Sequence, residues 1–241
     1  MRYLMLIIGV LLSAFLFNSC DDDDDSYSLG DVWGSIATVR PLSENSNNYS
    51  LVLDDGTTLW PAANHAPWYT PKANQRAIVY YTILSDYFQG YDHAIMVRDI
   101  SDILTKFPAE NLGSEGNDEE YGTDPVEILD MWIGDGYLNV WFGFNYSGKV
   151  KHFMNLVQRQ DINTPYYFEF RHNAYDDTGN SGQKGLVAFN LSSLNIEEEV
   201  TLTIKVNTFE GDKMYTIKYN PAAKETNVGN SFTANDIAEL E

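Results

Sequence analysis

Cysteine occurs once in the chain, at Cys20, so no disulfide can form within it. Basic residues are scarce. Fifteen Lys and Arg stand against 35 Asp and Glu, for a formal net charge of −20. So acidic a surface repels phosphate backbones and argues against nucleic acid as a partner. It argues equally against adsorption to anionic lipid head groups. Catalytic signatures are missing too. There is no Gly-x-Ser-x-Gly elbow and no phosphate-binding glycine loop. The four histidines, His65, His93, His152 and His172, are scattered, and none has the His-Glu-x-x-His spacing of a zinc protease. His152 and His172 fall inside predicted strands, where a structural histidine with satisfied hydrogen bonds is the expectation. Asp176-Asp-Thr-Gly-Asn180 lacks the spaced acids and terminal Glu of a calcium loop, and reads as a connection between strands. A glycosidase pair needs two opposed carboxylates about 5–10 Å apart, a relation that sequence does not display. No cofactor and no metal are expected, and the chain is expected not to be an enzyme.

The N-terminus is informative. Arg2 is followed by an almost unbroken apolar run from Leu4 to Phe17. A spanning helix needs about 20 such residues, so this run reads as a signal-peptide core and not as a membrane anchor. It ends in Phe17-Asn18-Ser19-Cys20. A small residue before the only cysteine, where the apolar run stops, reads as a relaxed lipobox with Cys20 as the acylated residue. Several acyl chains on one residue make a stable anchor, whereas one chain is marginal. The five aspartates Asp21, Asp22, Asp23, Asp24 and Asp25 follow. They read as a solvated, extended tether, and an acidic run directly after the acylated cysteine resembles the surface-export signal of Bacteroidetes lipoproteins. The expected address is the outer membrane, held there by lipid on Cys20.

Hydrophobic residues make up 44% of the chain, enough for a packed core. Six segments are expected: a signal peptide at 1–19, an acidic tether at 20–26, a first domain at 27–109, a polar Gly-rich linker at 110–124, a second domain at 125–222, and a polar tail at 223–241 with a short helical turn at 236–240. In the first domain, strands are predicted near 32–39, 49–53, 57–60, 76–84 and 94–98. Asp54-Asp55-Gly56 forms a hairpin turn, and a loop with Pro61, Pro67 and Pro71 lies after the third strand. Five strands with a gap after the third is the order of an OB barrel. The second domain alternates more cleanly. Leu138, Val140, Phe142, Phe144 and Tyr146 share one face, as do Val200, Leu202, Ile204 and Val206, with Thr201, Thr203 and Lys205 opposite. Period-two patterning with one wet face marks an antiparallel sandwich. Strands near 126–133, 137–146, 150–159, 166–172, 185–190, 199–207 and 213–219 suit a seven-stranded immunoglobulin-like β-sandwich. The fold class is therefore all-β, a five-stranded OB-like barrel followed by that sandwich.

Aromatic residues are abundant, at 14% with 16 tyrosines. Most belong in the core or in cross-strand pairs. Trp60-Pro-Ala-Ala-Asn-His-Ala-Pro-Trp-Tyr-Thr-Pro71 stands apart, because Trp68 and Tyr69 sit among prolines in a segment that resists a helix. Trp60, Trp68 and Tyr69 are the candidate ligand-binding residues. The competing expectation is that Trp68 and Tyr69 plug the barrel end in place of a capping helix.

Several stretches carry a family resemblance: Ser19-Cys20 with its Asp run, Arg76-Ala-Ile-Val-Tyr-Tyr-Thr-Ile-Leu-Ser-Asp86, Phe168-Glu-Phe-Arg-His-Asn173, and Gly185-Leu-Val-Ala-Phe-Asn-Leu-Ser-Ser-Leu194. Together they resemble the NigD-like lipoproteins of Bacteroidales over nearly the whole chain. The resemblance implies an N-terminal OB domain and a C-terminal β-sandwich. It also implies a role as a bacteriocin-immunity or accessory protein, and it supplies no catalytic residues. The functional expectation is a non-enzymatic cell-surface lipoprotein that binds another protein. The alternatives are a glycan-binding lipoprotein of a nutrient-uptake system and a cryptic hydrolase with a convergent carboxylate pocket.

Overall fold

The strands of residues 33–102 turn alternate side chains to a common apolar interior, and they close into a five-stranded barrel. In the computed structural model its strands are β1 (Trp33–Pro41), β2 (Tyr49–Leu53), β3 (Thr58–Asn64), β4 (Gln75–Phe88) and β5 (Tyr91–Asp102), in the closed order β1-β2-β3-β5-β4. The structure describes residues 27–44 and 46–222. The expected signal segment, Cys20, the aspartate run and the tail at 223–241 lie outside the described residues. Ala37, Val39, Leu51, Leu59, Val79, Ile95 and Val97 point into the barrel with no exposed surface. Each such Leu, Val or Ile contributes roughly 1.5–3 kcal/mol by leaving water. The all-β fold class and the strand order expected from the sequence are both seen. β3 runs further than expected, through Pro61 to Asn64. Its pairing with β5 slips between Pro61 and Ala63, a bulge at which a residue without an N–H is tolerated.

The second half is a sandwich. One sheet has the order β13-β12-β10-β9 and the other β6-β11-β8-β7. Its strands are β6 (Leu104–Lys106), β7 (Glu127–Gly134), β8 (Tyr137–Tyr146), β9 (Phe153–Gln158), β10 (Tyr167–Asn173), β11 (Ser181–Asn190), β12 (Val200–Thr208) and β13 (Gly211–Tyr219). Leu138, Val140 and Phe142 of β8 pack across the layer among Phe168, Leu202 and Ile204 in one core. The predicted strands from 126 onward all have a counterpart. The pairing is not purely antiparallel, because β10 runs parallel to β12 and β6 parallel to β11.

Residues 110–124, expected as a linker, contain helix α1 (Gly113–Tyr121). The helix has no apolar stripe to announce it and is held by polar contacts. Asn117 is fully buried; its side chain accepts from the Leu112 N–H and donates to Asn111. Tyr121 donates to the Glu110 carbonyl. The helix stops at Gly122, whose φ of 73° suits glycine. A Cβ there would lie 2.5 Å from the His172 carbonyl oxygen.

Candidate functional site

The three aromatic candidates have different surroundings. Trp60 points outward from β3, and its ring lies 5.3 Å from that of Tyr91. Tyr69 turns inward. It packs against the barrel core, meets Tyr49 edge-on at 5.7 Å, and donates from its hydroxyl to Asp102 at 2.8 Å. Burial, and then the Asp102 carboxylate, push its pKa far above the usual phenol range. Trp68 is 67% exposed. Its loop is pinned on both sides, by the Asn64 side chain accepting from the Ala66 N–H (2.7 Å) and by Lys72 against Asp102 (2.7 Å). The segment thus splits, with Tyr69 turned against the barrel core and Trp68 displayed to solvent.

The barrel and the sandwich meet at a polar seam that the sequence reading did not single out. Arg76 lies on the outer face of β4 with no exposure. Its guanidinium pairs with Asp54 of the β2–β3 turn, donates to Thr38 Oγ1 at 3.0 Å, and sits 5.2 Å above the Tyr137 ring of β8. Asp54 also accepts from the Trp132 indole N–H of β7 at 2.8 Å. Around this run Ile36, Ile103, Trp132, Tyr137 and Ala188 form a separate apolar cluster. Arg40 against Asp135 (2.9 Å), and the Tyr137 hydroxyl donating to the Asn74 carbonyl (2.8 Å), extend the seam. The sequence signal was a lone arginine at the head of an apolar strand.

A second polar cluster lies where α1 covers the β9–β10 face. Glu169, 7% exposed, accepts from both Arg159 and Arg171. Arg159 also binds Asp161, and Arg171 reaches Asp118 of α1 at 2.5 Å. The Asp161 hydrogen bond leads in raising the Arg159 pKa, and the same bond holds the Asp161 carboxyl well below the usual range. Beside the cluster is a cavity of about 240 Å³ lined by Asp124, Glu169, Arg171, Lys205, Asn207 and Asp212, among others. Lys205 pairs with Asp212 at 2.8 Å, so its charges, like those of Arg171 and Glu169, are matched within the wall.

His152 and His172 are brought together at one end of the sandwich. Nδ1 of His152 lies 2.9 Å from Nε2 of His172, and Nε2 of His152 lies 3.1 Å from Asp177. The rings of Phe144 and Tyr146 flank His152. Asp177 accepts from the N–H of Ser147 and of Gly179, both at 2.9 Å, and these bonds keep its pKa well below the ordinary carboxylate value. Burial, then the neighbouring His152, lower the pKa of His172. The stretch 176–180 is a loop between β10 and β11. Among the described residues, no group of three or more His, Cys, Asp or Glu is placed to hold a metal ion. Among the described residues, the carboxyls of Asp161, Asp177 and Glu210 are held below the ordinary range by their hydrogen-bond donors.

Residues 36–103 match the NigD-like N-terminal OB domain, and residues 108–219 match the NigD-like C-terminal beta sandwich domain. The chain belongs to the NigD-like family. Solved structures agree with the NigD-like assignment. A Parabacteroides distasonis protein, provisionally described as toxin related, is 50% identical, with a TM-score of 0.73 over 80% of this chain and 95% of that one. A Bacteroides vulgatus protein of unknown function is 26% identical, with a TM-score of 0.69 over 88% of this chain and all of that one. A NigD-like immunity protein of Bacteroides caccae shares the fold at 20% identity, with a TM-score of 0.60 over 82% of this chain and all of that one. No curated protein matches the chain. In this NigD-like protein, no helix among the described residues is long and apolar enough to cross a membrane.

Proposed function

We propose that this NigD-like chain is a lipid-anchored, non-catalytic binding protein of the outer-membrane surface, with a role of the immunity or accessory kind and another protein as its partner. The observation that carries this reading is Trp68, 67% exposed on a loop whose neighbour Tyr69 is locked into the barrel. An indole presented on an ordered loop costs little entropy to immobilise, and tryptophans of this sort are frequent anchors of protein interfaces. The immunity description of the Bacteroides caccae structure supports the same direction. The lipid anchor rests on Ser19-Cys20 at the end of the apolar run. Against a hydrolytic role stand the internally paired charges of the sandwich cavity.

The test is genetic. Deleting the gene should raise sensitivity to a toxin from a sister strain. The native gene should restore resistance, and a Trp68→Ala gene displayed at the same surface level should not. Unchanged sensitivity across a panel of such toxins would remove the immunity role. A sugar-dependent change in Trp68 fluorescence across a glycan panel would move the assignment to glycan capture.

A further inference from the structure

We infer that the end of the barrel where the chain enters is a bilayer-contacting surface, resting on neutral lipid head groups with its apolar side chains in the interface. This inference builds on the lipid-anchor reading. Cys20 lies just before Tyr27, and residues 20–26, fully extended, reach at most roughly 25 Å. An acyl group on Cys20 therefore keeps the barrel end carrying Tyr27 close to the membrane, whatever path the tether takes.

That end is apolar in an unusual way. The incoming segment is fastened across β4 and β5. Thr82 Oγ1 donates to the Asp31 carbonyl at 2.7 Å, Arg98 donates to the Leu29 carbonyl at 2.6 Å, and the Tyr27 hydroxyl donates to Asp86 at 3.1 Å. These bonds fix a set of side chains that point to solvent: Leu29 (66% exposed), Val32, Trp33, Leu84 and Tyr87 (87%). Trp33 opens β1 and pairs with Tyr81, while β4 runs on past it to Leu84 and Tyr87. Tyr87 and Gln89 have positive φ (51° and 50°) in the β4–β5 hairpin. Single exposed apolar residues need no explanation, but five carried by the entering segment, the start of β1 and the second half of β4 do. Tryptophan and tyrosine favour the boundary between head groups and acyl chains, with the polar edge of the ring wet and its body dry.

The rest of the fold is consistent with this orientation. The sandwich meets the barrel at Asn74 and Arg76, near the opposite end of β4. Eleven residue steps of strand separate Arg76 from Tyr87, roughly 35 Å. The Trp68 loop joins the end of β3 to the start of β4 and so also lies at that far end. A membrane at the Tyr87 end leaves both facing away from it. The acids nearby, Asp31, Asp86 and Asp92, favour zwitterionic over anionic lipid.

The test couples residues 20–241 through the sole thiol, Cys20, to a maleimide-headgroup lipid in phosphatidylcholine vesicles. Tryptophan emission is then read against lipids brominated near the head group. The expected result is quenching that disappears in Trp33→Phe and persists in Trp68→Phe, and that drops several-fold in a Leu29→Asp/Tyr87→Asp variant. Both of those side chains are exposed, so an unchanged melting temperature checks that the variant is folded. Absence of quenching, or quenching that survives Trp33→Phe, overturns the inference. Because the coupling is chemical, the contact is tested independently of native acylation. The mass of the Cys20 peptide from cells tests the anchor itself, and an unmodified Cys20 would remove the anchor reading alone.

Discussion

The guanidinium of Arg76 is closed off from solvent, and its counter-charge, Asp54, is shared with the Trp132 indole of the other domain. One carboxylate therefore satisfies a buried cation in the barrel and a buried donor in the sandwich. Asp54→Ala should cost on the order of 3–5 kcal/mol, the usual loss when a buried charge is left without its partner. Urea denaturation followed by Trp132 fluorescence would measure it. A cost below about 1 kcal/mol would mean that solvent reaches Arg76 and replaces the carboxylate.

Gly134 follows from the same contact. A Cβ built on it would lie 2.2 Å from the Asp54 carboxyl carbon. Gly134→Ala should therefore force Asp54 aside and destabilise the protein by about 1–3 kcal/mol. In an Asp54→Ala background the same change should cost much less. Additive costs in this double-mutant cycle would show that the crowding lies elsewhere.

The His172–His152–Asp177 row predicts acid sensitivity at one end of the sandwich. The folded-state pKa of His172 is lowered, so the unfolded chain takes up its proton first as pH falls. Stability should be intact above about pH 7 and decline as pH drops below the ordinary histidine value of about 6.5. Asp177, also lowered, adds a second loss below about pH 4, when the unfolded chain is protonated and the folded carboxylate is not. Thermal melts between pH 7 and 5 should show a shallower slope for His172→Gln than for the native chain. Equal slopes would remove His172 from the explanation.

Glu169 holds two guanidiniums, from Arg159 and Arg171, and Arg171 in turn holds α1 through Asp118. Glu169→Ala should cost on the order of 3–5 kcal/mol. It should also open residues 110–124 to proteolysis before the rest of the chain, since α1 has little apolar surface to keep it docked. Resistance of that segment in the folded variant would show that Asn117 and Tyr121 suffice to hold the helix.

The strands were readable because one face of each is dry, and the alternation at Leu138–Val140–Phe142 or Leu202–Ile204–Val206 survives any choice of partner. Partners themselves were not readable. Nothing in the period of β10 says that β12 lies beside it in the same direction. Helix α1 escaped because its sequence, Gly113-Ser-Glu-Gly-Asn-Asp-Glu-Glu-Tyr121, has the composition of a linker and is ordered by polar contacts, some of them to distant Arg159 and Arg171. The aromatic loop was visible as an excess of rings among prolines, but which ring turns inward depends on Asp102, 33 residues further on. The histidine row joins residues 20 and 25 apart and so leaves no local mark.

Strand β6 has a consequence for any attempt to divide the chain. Leu104–Lys106 leaves the barrel and immediately lines the edge of the sandwich beside Val187–Phe189. It falls between the two matched domains, at 36–103 and 108–219. A sandwich expressed from residue 108 onward would display the bare edge of β11, with Val187 and Phe189 behind it, as an invitation to pair with another copy. Half-molecules cut at the domain boundary should thus be prone to self-association, whereas a cut placed before Leu104 keeps that hem sewn.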